Sequence, residues 1–159
     1  MKRIFLSRKA EHQDLRIKSS PKKAFTLIEI MIVIGVIMIL AFLMVPNMLR
    51  ANITANEAGA ISNLRAYFTG LQIYYVQNAR QYPEEISDLQ GYVSDKLASG
   101  HKGGYDFIYT KDNEDQFHIN ANPRTPGKTG ERYFYLDEGN VIKYNTGGQA
   151  SATDPPASE

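Results

Sequence analysis

The stretch that decides the fold is Lys22-Lys23-Ala24-Phe25-Thr26-Leu27-Ile28-Glu29, which opens an apolar run that ends at Pro46. From Phe25 to Val45 there are 21 residues, and Glu29 is the only charged one among them. About 20 apolar residues are enough for a helix to cross the hydrocarbon core of a membrane. A carboxylate inside such a helix costs about 3 kcal/mol in lipid. The stretch therefore predicts a membrane-spanning helix in which Glu29 needs a partner.

The charge of the chain is divided unevenly around this stretch. Residues 1–24 carry eight Lys or Arg against two Asp or Glu, whereas residues 25–159 carry ten against fifteen. Because Lys and Arg concentrate on the cytoplasmic side of membrane helices, residues 1–24 are interpreted as a cytoplasmic leader peptide and set aside from fold reasoning. The acidic remainder argues against direct nucleic-acid binding.

The helix is expected to continue beyond the membrane surface. After Pro46 the apolar residues recur every three or four positions, which is the spacing of one face of a helix. This stripe consists of Ile61, Leu64, Phe68, Leu71 and Tyr75. Pro46 itself lacks an N–H and clashes with the preceding turn, so it is expected to kink the helix or melt it locally.

The second half of the chain shows the alternation that is typical of strands. Residues 105–109 and 117–119 predict one hairpin, and residues 132–136 and 141–144 predict another. Two hairpins give about four antiparallel strands. One long helix, half apolar and half amphipathic, packed on a small antiparallel sheet is an α+β fold.

The domain organisation follows from these patterns. After the leader, residues 25–45 form the membrane-spanning segment, and residues 46–145 form a globular head that includes the amphipathic half of the helix. Residues 146–159 contain two Gly and two Pro in pairs and no large apolar side chain. Such a composition predicts a disordered tail.

The opening stretch resembles the processing site of type IV pilins and type II secretion pseudopilins. In that family a basic leader is cut just before a Phe, and a Glu stands at the fifth mature position. Lys22-Lys23-Ala24, Phe25 and Glu29 match this arrangement, and Pro46 falls at mature position 22, where the family often has a proline. The residue before the cut is usually Gly in the family, so Ala24 is a departure from the pattern.

This resemblance implies a structural subunit of a type IV pilus-like filament. A prepilin peptidase would cut between Ala24 and Phe25, the new Phe25 amine would be N-methylated, and Glu29 of one subunit would meet the Phe25 amine of its neighbour. Residues 25–45 would then form the filament core. The implied partners are copies of the chain and other pilins, an inner-membrane assembly platform and its motor ATPase.

The implied localisation is a single-pass inner-membrane protein with its leader in the cytoplasm and, after processing, a periplasmic or cell-surface filament. Two alternatives stay open. A type II secretion pseudopilin, which forms a short periplasmic filament, shares the same N-terminal third. A membrane-anchored periplasmic binding module would keep residues 1–24, remain monomeric and have no need of Glu29.

Other kinds of site have little support in the sequence. There is no Cys, so a disulfide or a thiolate metal ligand is excluded. The three His residues are widely separated and no motif of a catalytic site is present, so the chain is predicted not to be an enzyme. Asp137 and Glu138 offer oxygen ligands of the kind that calcium prefers, and the resemblance includes pseudopilins that bind calcium near the C-terminus. A hairpin turn explains the same residues, and no cofactor is therefore predicted, with calcium at these two residues kept as the alternative.

Overall fold

A computed structural model describes residues 25–157 of the chain. It divides into two compact units, Met1–Ile39 and Leu40–Glu159. The longest element is helix α1, Leu27–Gln77. The part of α1 up to Ile39 is the described regular structure of the first unit, and all other elements belong to the second.

Within the second unit, α1 buries one face against the sheet. The centre of this face is formed by Ala60, Leu64, Tyr67 and Leu71, each at most 1% exposed. Leu64 and Leu71 belong to the stripe predicted from the sequence, whereas the other three members of that stripe pack only partly against the core. The centre is shifted because Tyr67 points inward. Its ring lies 5.2 Å from that of Phe107, and its hydroxyl donates to the carbonyl of Leu97.

The sheet has five antiparallel strands in the order β1-β2-β3-β4-β5, so each strand pairs with its neighbour in sequence. Their bounds are β1 His101–Lys102, β2 Tyr105–Lys111, β3 Phe117–Pro123, β4 Tyr133–Asp137 and β5 Lys143–Asn145. Both predicted hairpins are confirmed, as is the α+β class. The fifth strand, β1, was not expected because two residues are too few to show an alternating pattern.

The two faces of the sheet have different side chains. On β3, Phe117, Ile119 and Ala121 are fully buried on the face that packs against α1. Because successive residues of a strand point to opposite faces, Asn120 and Asn122 lie on the outer face of the sheet. Asn120 is nevertheless only 3% exposed, which shows that this face is covered at that point.

The covering segment is residues 146–157, called here the C-terminal strap. The sequence predicted disorder for residues 146–159, and for 146–157 this is wrong. Ala150 of the strap is 3% exposed and its carbonyl accepts a hydrogen bond from the Asn120 amide at 2.7 Å. Composition misled the prediction because the strap is held by hydrogen bonds of its backbone and of small polar side chains, not by large apolar ones. Residues 158–159 lie outside the described part of the chain.

Two short helices connect α1 to the sheet. A single turn of 3-10 helix spans Ile86–Leu89, and helix α2 spans Asp95–Ala98. The backbone N–H of Glu85 donates to the Asp88 carboxylate at 3.1 Å, which satisfies a group at the start of the 3-10 turn that has no partner within the helix. Leu89 and Leu97 anchor these turns in the core.

Candidate assembly site

The first turn of α1 carries the two residues that the sequence analysis assigned to subunit registration, Phe25 and Glu29. Thr26 immediately precedes the helix, and its Oγ1 accepts a hydrogen bond from the Glu29 N–H at 3.2 Å. A Thr at this position satisfies one of the N–H groups that have no partner inside the helix. Phe25 is 75% exposed and Glu29 is exposed as well. Both residues are therefore accessible at the start of an ordered helix.

The Glu29 carboxylate has neither a hydrogen-bond nor an ion-pair partner in the part of the chain that the structure describes. Its place in the first helical turn lets it interact favourably with the positive end of the helix dipole. A dipole at one helix end does not replace a charged partner in lipid. Residues 25–157 of a single chain thus offer the Glu29 carboxylate no positively charged partner. The contact between Glu29 of one subunit and Phe25 of the next stays a prediction.

The predicted cleavage site cannot be assigned a geometry. Lys22, Lys23 and Ala24 lie outside the described residues. Cleavage between Ala24 and Phe25 and N-methylation of Phe25 remain predictions from the sequence.

The apolar run of α1 exposes its side chains along its length. Every large apolar residue from Leu27 to Met48 is between 46% and 82% exposed. By length and composition α1 is able to cross a membrane, and it is the helix in the described range 25–157 that meets this criterion. In water, such a continuous apolar surface would be unstable, so a lipid bilayer or other protein surfaces must cover it.

Pro46 lies inside α1, and helix is assigned on both sides of it and at the residue itself. The chain is therefore helical at this point, not locally melted. Proline in a helix interior removes one backbone hydrogen bond and is a common cause of kinks, and the kink expected at Pro46 stays a prediction.

The head contains a buried charged pair that the sequence analysis did not anticipate. Glu57 of α1 is 6% exposed and accepts three hydrogen bonds. The Glu131 N–H and the Arg132 N–H donate to Oε1 at 2.8 and 3.0 Å, and Arg132 Nε donates to Oε2 at 2.7 Å. Glu57 stands three residues before Ala60 on the buried face of α1, so its burial could have been predicted from the helical spacing. Arg132 could not be identified as its partner, because it lies 75 residues away in sequence.

The ionisation of Glu57 follows from these contacts. Burial by itself would raise the pKa of the Glu57 carboxyl. The hydrogen bond from the Glu131 N–H, together with those from the Arg132 side chain and N–H, outweighs burial and holds the pKa below its ordinary value. Hydrogen bonds to the charged form of a carboxyl have this effect. Glu57 is thus ionised at neutral pH and pairs with the Arg132 guanidinium.

Two further hydrogen bonds fix the segment between β3 and β4, one from α1 and one from β2. Asn56 precedes Glu57 on α1, and its side-chain amide donates to the Thr129 carbonyl at 3.0 Å. The hydroxyl of Tyr105 donates to the Arg132 carbonyl at 2.7 Å. Gly130 lies so close to Tyr105 that a Cβ atom there would stand 2.1 Å from the tyrosine oxygen. Residues 129–132 are thus held against the helix by complementary contacts.

Asp137 and Glu138, the residues considered for calcium, lie at the turn between β4 and β5. Asp137 Oδ1 accepts a hydrogen bond from the Gly139 N–H at 3.0 Å, and its Oδ2 lies 3.8 Å from Lys143 Nζ. The Asn140 N–H donates to the Asp137 carbonyl at 3.1 Å, which closes the turn. Among residues 25–157 no group of three or more His, Cys, Asp or Glu side chains is placed to hold a metal ion. The described geometry is that of a hairpin turn, and calcium binding at Asp137 and Glu138 stays a prediction.

Comparison with known proteins identifies the N-terminal segment. Residues 19–45 match the family described as the prokaryotic N-terminal methylation motif. This match contains the predicted cleavage site, Glu29 and the greater part of the apolar run.

Similar proteins extend the comparison to about half of the chain. The type II secretion system core protein G of Klebsiella pneumoniae is 37% identical over 84 residues, which are 53% of this chain and 59% of that protein. The protein of the same name from Aeromonas hydrophila is 33% identical over 53% of this chain and 58% of its own length. The type IV major pilin protein PilA of Myxococcus xanthus is 30% identical over 52% of this chain and 36% of its own length.

The matched region thus spans little more than half the length of the curated secretion proteins and about a third of the pilin. No solved structure gives a significant match. Residues 19–45 thus match the prokaryotic N-terminal methylation motif, and about half of the chain is similar to type II secretion system core proteins G and to a type IV major pilin.

Proposed function

We propose that this chain is a structural subunit of a type IV pilus-like filament, cut by a prepilin peptidase and polymerised through its N-terminal helix. The observation that carries the proposal is the first turn of α1. It presents Phe25 and Glu29, which has no ion-pair partner among residues 25–157, at the start of an apolar helix whose side chains are exposed. Such a surface needs a partner, and a second copy of the same helix supplies one of matching character.

The need of the Glu29 carboxylate for a positive charge determines which ends of two subunits meet. A carboxylate in an apolar environment is costly unless an opposite charge compensates it. Cleavage before Phe25 creates an α-amino group four residues from Glu29, at the same end of the helix. In a stack of subunits the Phe25 amine of one chain compensates the Glu29 carboxylate of the next. The pair exists only after processing and only between copies, so it couples maturation to polymerisation.

The apolar run has two environments in this proposal. Before assembly, residues 25–45 hold the precursor in the inner membrane with residues 1–24 in the cytoplasm. After assembly, the same side chains pack against those of neighbouring subunits in the filament core. The proposed partners are a prepilin peptidase, an assembly platform with its motor ATPase, and other pilins. The role is structural and involves no catalysis by this chain.

A second candidate is a pseudopilin that forms a short periplasmic filament. It is favoured by the relatives from Klebsiella pneumoniae and Aeromonas hydrophila, which are named as type II secretion core proteins. The two candidates share the same chemistry at Phe25 and Glu29. They differ in where the processed subunit is found.

Mass spectrometry of sheared cell-surface material and of washed membranes tests both candidates. Trypsin cuts after Lys23 and Arg50, so the precursor yields a peptide that starts at Ala24, whereas the processed chain yields one that starts at Phe25. We expect the Phe25 peptide with one added methyl group in the sheared fraction. Processed peptide found only in membranes would favour the pseudopilin. Ala24 retained in every fraction would overturn both filament proposals.

The Glu29→Ala variant tests the proposal against the anchored binding module. We expect Glu29→Ala to insert into the membrane at the wild-type level but to leave no assembled material in the sheared or cross-linked fraction. The matched control is Glu114→Ala, which removes a carboxylate from an exposed turn of the head and is expected to assemble normally. Unchanged localisation of Glu29→Ala, together with a wild type that itself yields no assembled material, would instead support the anchored module, which is monomeric.

A further inference from the structure

The C-terminal strap occupies the open edge of the sheet. β5 is the last strand in the sheet order, so one of its sides has no neighbouring strand. The strap pairs there in antiparallel fashion, with Pro156 opposite Lys143. The Tyr144 N–H donates to the Pro155 carbonyl at 3.0 Å, and the Ala157 N–H donates to the Ile142 carbonyl at 2.8 Å. The strap thus satisfies two backbone groups, the Tyr144 N–H and the Ile142 carbonyl, that this edge otherwise leaves open.

The register of this pairing determines what the strap presents on its other side. In an antiparallel pair the N–H and C=O of one residue point to the same side, and successive residues alternate in direction. Pro155 and Ala157 direct their bonding groups toward β5, so the backbone nitrogen of Pro156 faces away from the sheet. Proline has no N–H. The outward position that would otherwise donate to an added strand therefore carries no donor.

Additional contacts hold the strap in this place. The Asn120 side chain donates to the Ala150 carbonyl on the outer face of the sheet. The Asp154 carboxylate accepts hydrogen bonds from the Ser151 N–H at 2.7 Å and the Ser151 hydroxyl at 2.9 Å. Asn145 of β5 donates to the same carboxylate at 3.2 Å. The strap is therefore tied both to the centre of the sheet and to its edge strand.

We infer that the C-terminal strap protects the free edge of the sheet. It pairs with the open side of β5 and directs the backbone nitrogen of Pro156 outward, so that a second copy of this chain cannot add a strand to the sheet. Unprotected edge strands are templates for pairing between molecules, and Pro on an edge blocks that pairing. With the strap in place, copies of this chain can associate through other surfaces but not through the edge of the sheet. This inference goes beyond the proposed function and does not depend on cleavage before Phe25.

The two adjacent prolines provide a matched pair of variants. Both Pro155 and Pro156 are exposed, so replacement by Thr removes no core packing. Pro156→Thr introduces an N–H that faces outward, whereas Pro155→Thr introduces one that faces β5. We expect the association constant of Pro156→Thr to rise roughly tenfold or more, since a symmetric pairing gains two hydrogen bonds. Pro155→Thr is expected to associate like the wild type.

The measurement is sedimentation equilibrium of the full chain in detergent, which covers the apolar run in every variant. Amide hydrogen exchange at position 156 is measured in parallel, and slow exchange in the associated Pro156→Thr sample is expected if the new donor pairs with another chain. Equal association of the two proline variants, or fast exchange at position 156 in an associated sample, would overturn the inference.

A truncation provides a second, independent test. A variant that ends at Asn145 lacks the whole strap and exposes the Tyr144 N–H and the Ile142 carbonyl. We expect it to self-associate more strongly than the wild type and to lose protection at the Tyr144 amide when dilute. If the truncated chain folds, as judged by protected amides in β3, and stays as dissociated as the wild type, the strap does not guard the edge.

Discussion

Glu57 and Arg132 are joined by a 2.7 Å hydrogen bond between Oε2 and Nε, which links helix α1 to the residue that precedes strand β4. The Glu57 side chain is 8% exposed and the Arg132 side chain 29% exposed. The Arg132 guanidinium also lies 5.2 Å from the ring centre of Phe134 and 5.7 Å from that of Tyr144. One charged pair thus connects the helix, the segment 129–132 and two strands of the sheet.

The Glu57→Gln variant is expected to lower the free energy of unfolding by about 2–3 kcal/mol, because it leaves the half-buried Arg132 charge without its counterion. Urea unfolding of the full chain in detergent measures this loss. Near-ultraviolet circular dichroism is a suitable signal, since the chain has ten Tyr and no Trp.

A matched control for this variant is Glu84→Gln. Glu84 also forms an ion pair, at 2.6 Å from Lys111 Nζ, but its side chain is 81% exposed. Exposed pairs contribute at most about 1 kcal/mol, so this control is expected to lose little. If both variants lose the same free energy of unfolding, the buried Glu57–Arg132 pair contributes no more to stability than the exposed pair.

Acid is expected to destabilise the head through carboxyls whose pKa is lowered in the folded state. Besides Glu57, the pKa of Asp106 is lowered mainly by its hydrogen bond with Arg124, and that of Asp154 mainly by the Ser151 N–H. A lowered folded pKa contributes stability above the unfolded pKa, and this contribution is lost as the pH falls through the folded pKa.

The free energy of unfolding is therefore expected to fall as the pH is lowered from about 5 to about 3, near and below the ordinary carboxyl range. In Glu57→Gln the fall is expected to be smaller, because one of the responsible groups has been removed. Unfolding measured at a series of pH values checks this. An identical pH dependence in the variant and the wild type would show that the pKa of Glu57 is the same in the folded and the unfolded state.

Two glycine substitutions are expected to have opposite effects on stability. A Cβ at Gly130 would lie 2.1 Å from the Tyr105 hydroxyl, whereas a Cβ at Gly59 meets no atom within 4 Å. Gly130→Ala must displace Tyr105 from its hydrogen bond to Arg132, and overpacking of this kind costs about 1–3 kcal/mol. Gly59→Ala lies inside α1 and is expected to stabilise it by up to about 1 kcal/mol. Urea unfolding of both variants would show the contrast, and a stable Gly130→Ala would mean that the contact relaxes freely.

Calcium is expected to leave the stability of the chain unchanged. Asp137 is engaged by the Gly139 N–H and faces Lys143, while calcium requires six to eight oxygen ligands. Thermal unfolding with excess calcium and with a chelator measures the effect. A clear rise in the unfolding temperature with calcium that is lost in Asp137→Asn would reverse this expectation and establish the alternative site.

Replacement of Pro46 is expected to strengthen the middle of α1. Proline inside a helix is less favourable than alanine by about 3 kcal/mol, in part because the carbonyl four residues earlier loses its N–H partner. Pro46→Ala should therefore slow amide hydrogen exchange on both sides of position 46 in detergent-solubilised protein. Gly35→Ala is the control, with a smaller effect of about 1 kcal/mol expected. Unchanged exchange around position 46 would indicate that the proline is accommodated without loss.

The sequence by itself determined the elements whose physics is local. A long apolar run, a helical stripe and two alternating hairpins depend on periodicity along the chain, and they identified α1 and four of the strands. The motif from Lys22 to Glu29 is likewise contiguous, so it was readable without coordinates. The sequence also showed that Glu29 needs a partner, because the cost of a carboxylate in lipid does not depend on the rest of the fold.

Only the tertiary structure decided the pairings between distant residues. The sequence analysis did not anticipate the buried charge of Glu57, although its spacing places it on the buried face of α1. Its partner Arg132 became known only from the fold, which brings segment 129–132 against α1. The strap was mistaken for a disordered tail because its order comes from contacts with Asn120, β5 and its own Asp154 and not from large apolar residues of its own. Hydrogen bonds between segments leave no periodic pattern in a sequence, and they become visible only once the fold has placed donor and acceptor together.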